Sequence, residues 1–106
     1  SLPDVTDETR HAVVILSLLL RDDLGSTIFT VIERYGDELK EHDSQLMLVE
    51  VSEKTMQQFE NTGHVDIFGR DNIYMSTERP YESAREALHQ AEKWIAAQKE
   101  ESTNES

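Results

Sequence analysis

The stretch from His11 to Tyr35 constrains the fold more than any other: HAVVILSLLL, then RDDLGST, then IFTVIERY. Val13 to Leu20 holds seven apolar residues in eight, interrupted only by Ser17. A strand covered on one face alternates apolar and polar side chains, whereas one covered on both faces reads as a continuous apolar run. The run therefore predicts a strand lying between two layers. Asp22-Asp23-Leu24-Gly25 ends it, and Ser26 is a residue type that caps helices. Beyond the cap, Ile28, Val31, Ile32, Tyr35 and Leu39 recur at helical spacing and predict one apolar stripe. A buried strand passing through a short loop into a helix is half of a β-α-β unit.

The rest of the chain repeats that grammar. Gln45 to Val51 reads as a second strand with Leu46, Leu48 and Val49 in the core, and Glu50 facing solvent or the rim of a site. Ser52 caps a helix expected from Glu53 to about Thr62, with Met56 and Phe59 inward and Gly63 at its end. His64 to Gly69 is expected as a short turn whose Val65, Ile67 and Phe68 plug the bottom of the core. Gly36, inside the first helix, is expected to mark close packing against a neighbour. Asn72 to Ser76 gives a short third strand. A last helix is expected over Tyr81 to Gln98, with Ala84, Leu88, Ala91 and Ile95 on one face and Ala87 and Trp94 beside them.

The order β-α-β-α-β-α predicts an α/β fold, a mostly parallel sheet with helices packed on it. Residues 1–10 form a polar lead-in, 11–98 the single domain, and 99–106 a charged tail expected to be disordered. If the strands lie in sequence order, the most apolar one stands at an edge, where bare backbone invites pairing. That edge needs cover: further N-terminal strands, a second copy of the chain, or the lead-in folded back.

Charge narrows the partners. Ten Lys and Arg against 22 Asp and Glu give a net charge of -12, a surface that repels phosphate backbones, so no nucleic-acid partner is expected. The chain lacks cysteine, which removes disulfides and thiol chemistry. Its longest apolar run falls far short of the roughly 20 residues of a membrane-spanning helix, so the chain taken alone is expected to be soluble. The start, SLPDVTDETR, has neither a basic segment nor an apolar one of the signal-peptide kind.

The loop Arg21 to Thr27 is the candidate site, because open α/β sheets place ligands where a strand's carboxyl end meets a helix's amino end. Gly25 permits close approach, and Ser26 and Thr27 offer hydroxyls and backbone donors. As a phosphate cradle the signal is weak: Asp22 and Asp23 add two negative charges and no GxxxxGK[ST] lysine is present. A strand-to-helix turn capped by Ser26 accounts for the same residues. His11, His42, His64 and His89 share no metal-ligand spacing, so no metal site is expected. With 22 carboxylates chance pairs abound, and no catalytic residues are assigned. The chain is not expected to be an enzyme.

With these elements placed, the sequence resembles a STAS domain, the fold shared by anti-sigma-factor antagonists and the cytoplasmic tails of SulP-type anion transporters. The resemblance runs through HAVVILSLL, RDDLGST, LMLVEVSEKTMQQFENTG, VDIFGRDNIYMSTE and EALHQAEKWI, about Pro3 to Ala97. The phrases DDLGST, VIERY, LMLVEVSE and GRDNIY are more similar to bacterial SulP tails than to the stand-alone antagonists. A full domain of this kind begins with further strands and a helix that are absent here, so the chain resembles its later two-thirds and is expected to be a piece of a longer transporter. In the antagonists a serine of an Asp-Ser-Ser-Gly-like turn is phosphorylated. Aligned on Asp23, that position falls on Gly25, which leaves Ser26 or Thr27 as the hydroxyl to take its place.

The resemblance implies a non-catalytic regulatory module on the cytoplasmic face of the inner membrane, attached to a transporter of anions such as sulfate or bicarbonate. It would contact the membrane domain of its own transporter and a cytosolic protein partner through Asp22, Asp23, Gly25, Ser26 and Thr27. No cofactor is expected beyond weak binding of GTP or ATP, and a homodimer would form through the strand edge. The alternatives are a stand-alone partner-switching antagonist and a nucleotide-binding module.

Overall fold

The structure, a computed structural model, describes residues 5–6, 9–19 and 26–104. In chain order these form β1 (Val13–Ser17), α1 (Ser26–Glu41), β2 (Gln45–Val51), α2 (Glu53–Thr62), α3 (His64–Phe68), a 3-10 turn (Arg70–Asn72), β3 (Ile73–Met75) and α4 (Glu82–Asn104). The sheet has the order β1-β2-β3, and both pairings are parallel. This is the α/β architecture expected, with helices packed on a parallel sheet. Among the described residues no helix is long and apolar enough to cross a membrane.

The middle strand is β2, not the more apolar β1. Six consecutive residues of β2, Leu46 to Val51, are buried, while Val13 to Leu16 are only half-buried. The apolar run does face two layers: Val14 and Leu16 pack toward one, Val13 and Ile15 toward the other. It lacks a neighbour on one side, because β1 pairs only with β2 among the described residues. The strand also stops at Ser17 rather than at Leu20. The Leu18 N–H still reaches the Val49 carbonyl at 3.0 Å, but the Leu19 N–H donates to Ser17 Oγ at 3.2 Å, which turns the chain out of the ladder.

Two helix stripes are rotated from their expected positions. On α1 the buried residues are Phe29, Ile32, Tyr35 and Leu39, and Val31 is 49% exposed. The expected stripe included Val31 and left out Phe29. On α4 the small residues Ser83, Ala87 and Ala91 face inward, and Leu88 is 50% exposed. Only short side chains at i, i+4 and i+8 let this helix lie close to the sheet. It also continues through Asn104, beyond the expected end at Gln98, since Lys99 and Glu100 are good helix formers and no Gly or Pro intervenes.

α2 has the bounds read from its caps. The Ser52 side chain accepts the Thr55 N–H at 3.1 Å, and Gly63 closes the helix at φ 79, a conformation glycine adopts without strain. Residues 64–68 are a short helix rather than a turn, and of the three expected plugs Val65 and Phe68 are buried while Ile67 is 38% exposed. Gly36 is not forced by tight packing. A Cβ there would meet Leu46 Cδ2 at 3.6 Å, an ordinary contact, beside a cavity of ≈ 30 Å³.

The core is two clusters, one on each face of the sheet. The larger joins Phe29, Ile32, Tyr35 and Leu39 of α1 to Leu46, Leu48 and Val51 of β2 and to Met56, Phe59, Val65 and Phe68, with Val5 of the lead-in packed against it. The smaller lies under α4 and holds Met47, Val49, Ala87 and Ala91.

Candidate functional site at the carboxyl end of the sheet

Of the residues expected at the site, Asp22, Asp23, Gly25 and the Ser26 side chain lie outside the described residues. Ser26 begins α1, and Thr27 in its first turn is exposed. What the structure describes at this end of the sheet is a polar cluster that sequence reasoning missed, centred on Glu50.

Side chains of β2 alternate between the faces: Leu46 and Leu48 lie in the larger cluster, Met47 and Val49 in the smaller. Strict alternation would send residue 50 to the larger cluster and Val51 to the smaller. Instead Val51 joins Leu46 and Leu48. The register gives the reason: Leu48 pairs with Ile73 and Val51 with Met75, so three steps along β2 match two along β3. One residue is extra, and the chain bulges there. Glu50 takes φ 53, a left-handed conformation that disfavours any residue with a Cβ. Such strain costs roughly 1–3 kcal/mol and gathers at functional sites.

Glu50 is also buried, 5% exposed, against the expectation that it faces solvent or a rim. The bulge turns it into the molecule instead of away. Its backbone N–H donates to Ser83 Oγ at 2.9 Å, tying β2 to the first turn of α4. The Ser76 hydroxyl donates to Glu50 Oε2 at 3.2 Å, and the Ser76 N–H donates to the Val51 carbonyl at 2.9 Å. Oε1 is buried and accepts no hydrogen bond from the described residues. One signal in the sequence did point here: a lone Glu between Val49 and Val51 in a strand apolar on both faces cannot keep the alternation and stay solvated.

At this end of the sheet large apolar side chains are exposed, Leu19 just beyond β1, Tyr81 ahead of α4 and Met75 at the end of β3, the last on the α2 face beside Met56 and Arg70. Tyr81, at φ 64, is one of four described non-glycine residues at positive φ, with Glu50, His11 and Asp43. Among the described residues no three His, Asp or Glu side chains gather as a metal site would require.

An open parallel sheet whose strands hand over to helices at one end, with a polar cluster and an apolar fringe there, defines a class of α/β domains that bind at the carboxyl edge. Within that class, the family model of the STAS domain matches residues 1–79, and the chain belongs to the STAS domain family. The match takes in all three strands, Glu50 and Ser76, and stops short of α4. No curated protein and no solved structure matches the chain. Family membership supports a regulatory, protein-interaction role, in general terms that include the anti-sigma-factor antagonists.

Proposed function

We propose that the chain is the regulatory STAS domain of a SulP-type anion transporter, non-catalytic and acting by protein contact at the carboxyl end of its sheet. The observation that carries this reading is the similarity of DDLGST, VIERY, LMLVEVSE and GRDNIY to the bacterial SulP tails. The domain would sit on the cytoplasmic face of the inner membrane against its own transporter's membrane domain, with Asp22, Asp23, Gly25, Ser26 and Thr27 as the contact loop. The test is the full reading frame, then transport. Membrane-spanning segments encoded ahead of Ser1, and altered sulfate or bicarbonate uptake when residues 11–98 are deleted, support the reading. A reading frame without them removes it.

A second reading is the partner-switching antagonist, although the phospho-acceptor position falls on Gly25 and the Ser26 hydroxyl stands one place later. Incubation with a cognate kinase and mass spectrometry separates the two, since an antagonist gains phosphate on Ser26 or Thr27. The β1 edge is further proposed to pair with a second copy: its residues are apolar on both faces, with no Lys, Pro or bulge to discourage pairing. Light scattering that shows a monomer across the concentration range counts against that.

A further inference from the structure

β3 ends the sheet on the side away from β1, and among the described residues no strand pairs with its outer edge. The Ser76 N–H donates inward to the Val51 carbonyl at 2.9 Å, so Met75, one step earlier, turns its N–H and carbonyl outward. The Ile73 N–H is taken by the Arg70 carbonyl. Such an edge is a template for one further strand. The side chains of β3 alternate: Ile73 lies in the larger core cluster, Tyr74 packs against the smaller, and Met75 stands beside Met56 on the α2 face.

A groove opens on each side of that edge. On the α4 side a space of ≈ 450 Å³ is lined by Asp71, Tyr74, Glu86 and Gln90. On the α2 side one of ≈ 310 Å³ is lined by Met56 and Met75, with Glu53 and Glu60 in its wall. Arg70 lines both, so the two grooves meet along the strand. A strand laid against β3 sends alternate side chains to opposite faces, and here each face has room for them. Charge specifies the occupant. The carboxylates of Glu53, Glu60, Asp71 and Glu86 stand against Arg70 and, further along α4, Lys93, in a chain of net charge -12. The Tyr74 phenol registers that field: burial first, then Glu86 and Asp71, raise it above 10.0. A second copy of this chain brings like charge to like, whereas an extended segment carrying Lys or Arg is drawn in. Met56 and Met75 suit apolar side chains between the basic ones.

We propose that the outer edge of β3 receives an extended segment of a partner protein as an added strand, its basic residues over the α4-side groove alternating with apolar ones on the methionine side. This surface lies on the opposite edge of the sheet from β1 and holds whether or not the domain belongs to a transporter. A strand of three residues supplies few backbone hydrogen bonds, so the two grooves carry the selectivity.

The test is an amide-shift titration of the ¹⁵N-labelled chain with the peptide acetyl-Val-Lys-Val-Lys-Val-amide. Shifts are expected at Tyr74, Met75 and Ser76, largest for the Met75 amide as it gains a hydrogen bond, and at Met56 and Glu86 on the flanks. Two N-methylated versions test the backbone. Methylation of the lysine nitrogens and methylation of the valine nitrogens remove donors from opposite edges of the peptide, so one version should lose binding and the other keep it. Equal binding of the two, strong or weak, overturns strand addition. Charge is tested by Asp71→Asn combined with Glu86→Gln, both exposed positions, which should lower affinity for the lysine peptide about two- to fivefold, the range of an exposed ion pair. Unchanged affinity overturns the basic occupant. Shifts at Ile73 to Met75 that follow dilution of the chain alone make the occupant a second copy and overturn the proposal, as does the absence of any shift at β3 with the lysine peptide.

Discussion

On one face of the sheet three phenylalanines interlock, Phe29 with Phe59 at 5.5 Å between ring centres and Phe59 with Phe68 at 5.3 Å, with the His64 ring stacked on Phe29 at 5.1 Å. On the other face a single long helix comes down on Ala87 and Ala91. The first face joins three helices through large side chains. The second holds one helix through small ones and through the bond from Glu50 to Ser83. Stability therefore concentrates on the aromatic face, and the α4 face is set by closeness of approach. The Glu50 cluster belongs to the second, where the first turn of α4 meets the end of β2.

The largest expected effect tests the aromatic face. Phe59 is fully buried and touches both other phenylalanines. Phe59→Ala should lower stability by about 3–5 kcal/mol, the loss of a buried ring plus the cavity it leaves. Urea unfolding followed by far-UV circular dichroism measures it. A loss under about 1 kcal/mol, the range of ordinary substitutions, would show that the rings are not the core.

On the α4 face the same experiment runs in reverse, because enlargement rather than truncation should do the harm. Ala87 is fully buried, and Ala87→Leu should cost about 1–3 kcal/mol by pushing α4 off the sheet. One position along, Leu88 is 50% exposed, and Leu88→Ala should stay within about 0.5 kcal/mol. Comparable effects at the two positions would mean that α4 is rotated about its axis.

These stripes also show what could be read in advance. Signals confined to a few residues were legible: the Ser52 cap, Gly63 at the end of α2, and the burial of Leu46, Leu48 and Val49. Val31 and Leu88 misled because periodicity marks a face without saying how the sheet meets it. A run with a β-branched or bulky residue one step off the stripe, such as Val31 beside Ile32, fits two rotations equally well. β1 was legible in both respects: its apolar run implied two layers, and strands taken in sequence order put it at the edge, where it pairs only with β2 among the described residues. The site was the least legible part. Glu50 meets Ser76 and Ser83 across separations of 26 and 33 residues, which only the packed sheet and α4 bring together.

A smaller effect of opposite sign is expected at the bulge. Glu50→Gly relieves roughly 1–3 kcal/mol of backbone strain against roughly 0.5–1 kcal/mol of added chain entropy in the unfolded state. The Ser76 hydrogen bond goes, but so does the orphaned oxygen. Stability should rise by about 1 kcal/mol, measured as a shift of the urea midpoint without a change in slope. A fall would mean that the Ser76 hydrogen bond to the carboxylate holds the end of β3 in place, which would make Glu50 a structural group.

The smallest effect at neutral pH concerns Tyr74, half-buried against the α4 cluster. Burial first, then the negative charges of Glu86 and Asp71, raise its phenol above the ordinary value of 10.0. The folded state thus keeps a proton that the unfolded chain releases, so ionisation favours unfolding once the pH passes the unfolded value. Stability should be untouched by this group below pH 10.0 and should fall as the pH climbs from there through the raised folded value. Tyr74→Phe abolishes that contribution: the variant should match wild type near neutrality and lose less stability in alkali. Identical alkaline slopes for the two proteins would place the hydroxyl in water, and α4 with its first-turn link to Glu50 would then have to lie further from β3 than the packing of Met47, Val49 and Ala87 allows.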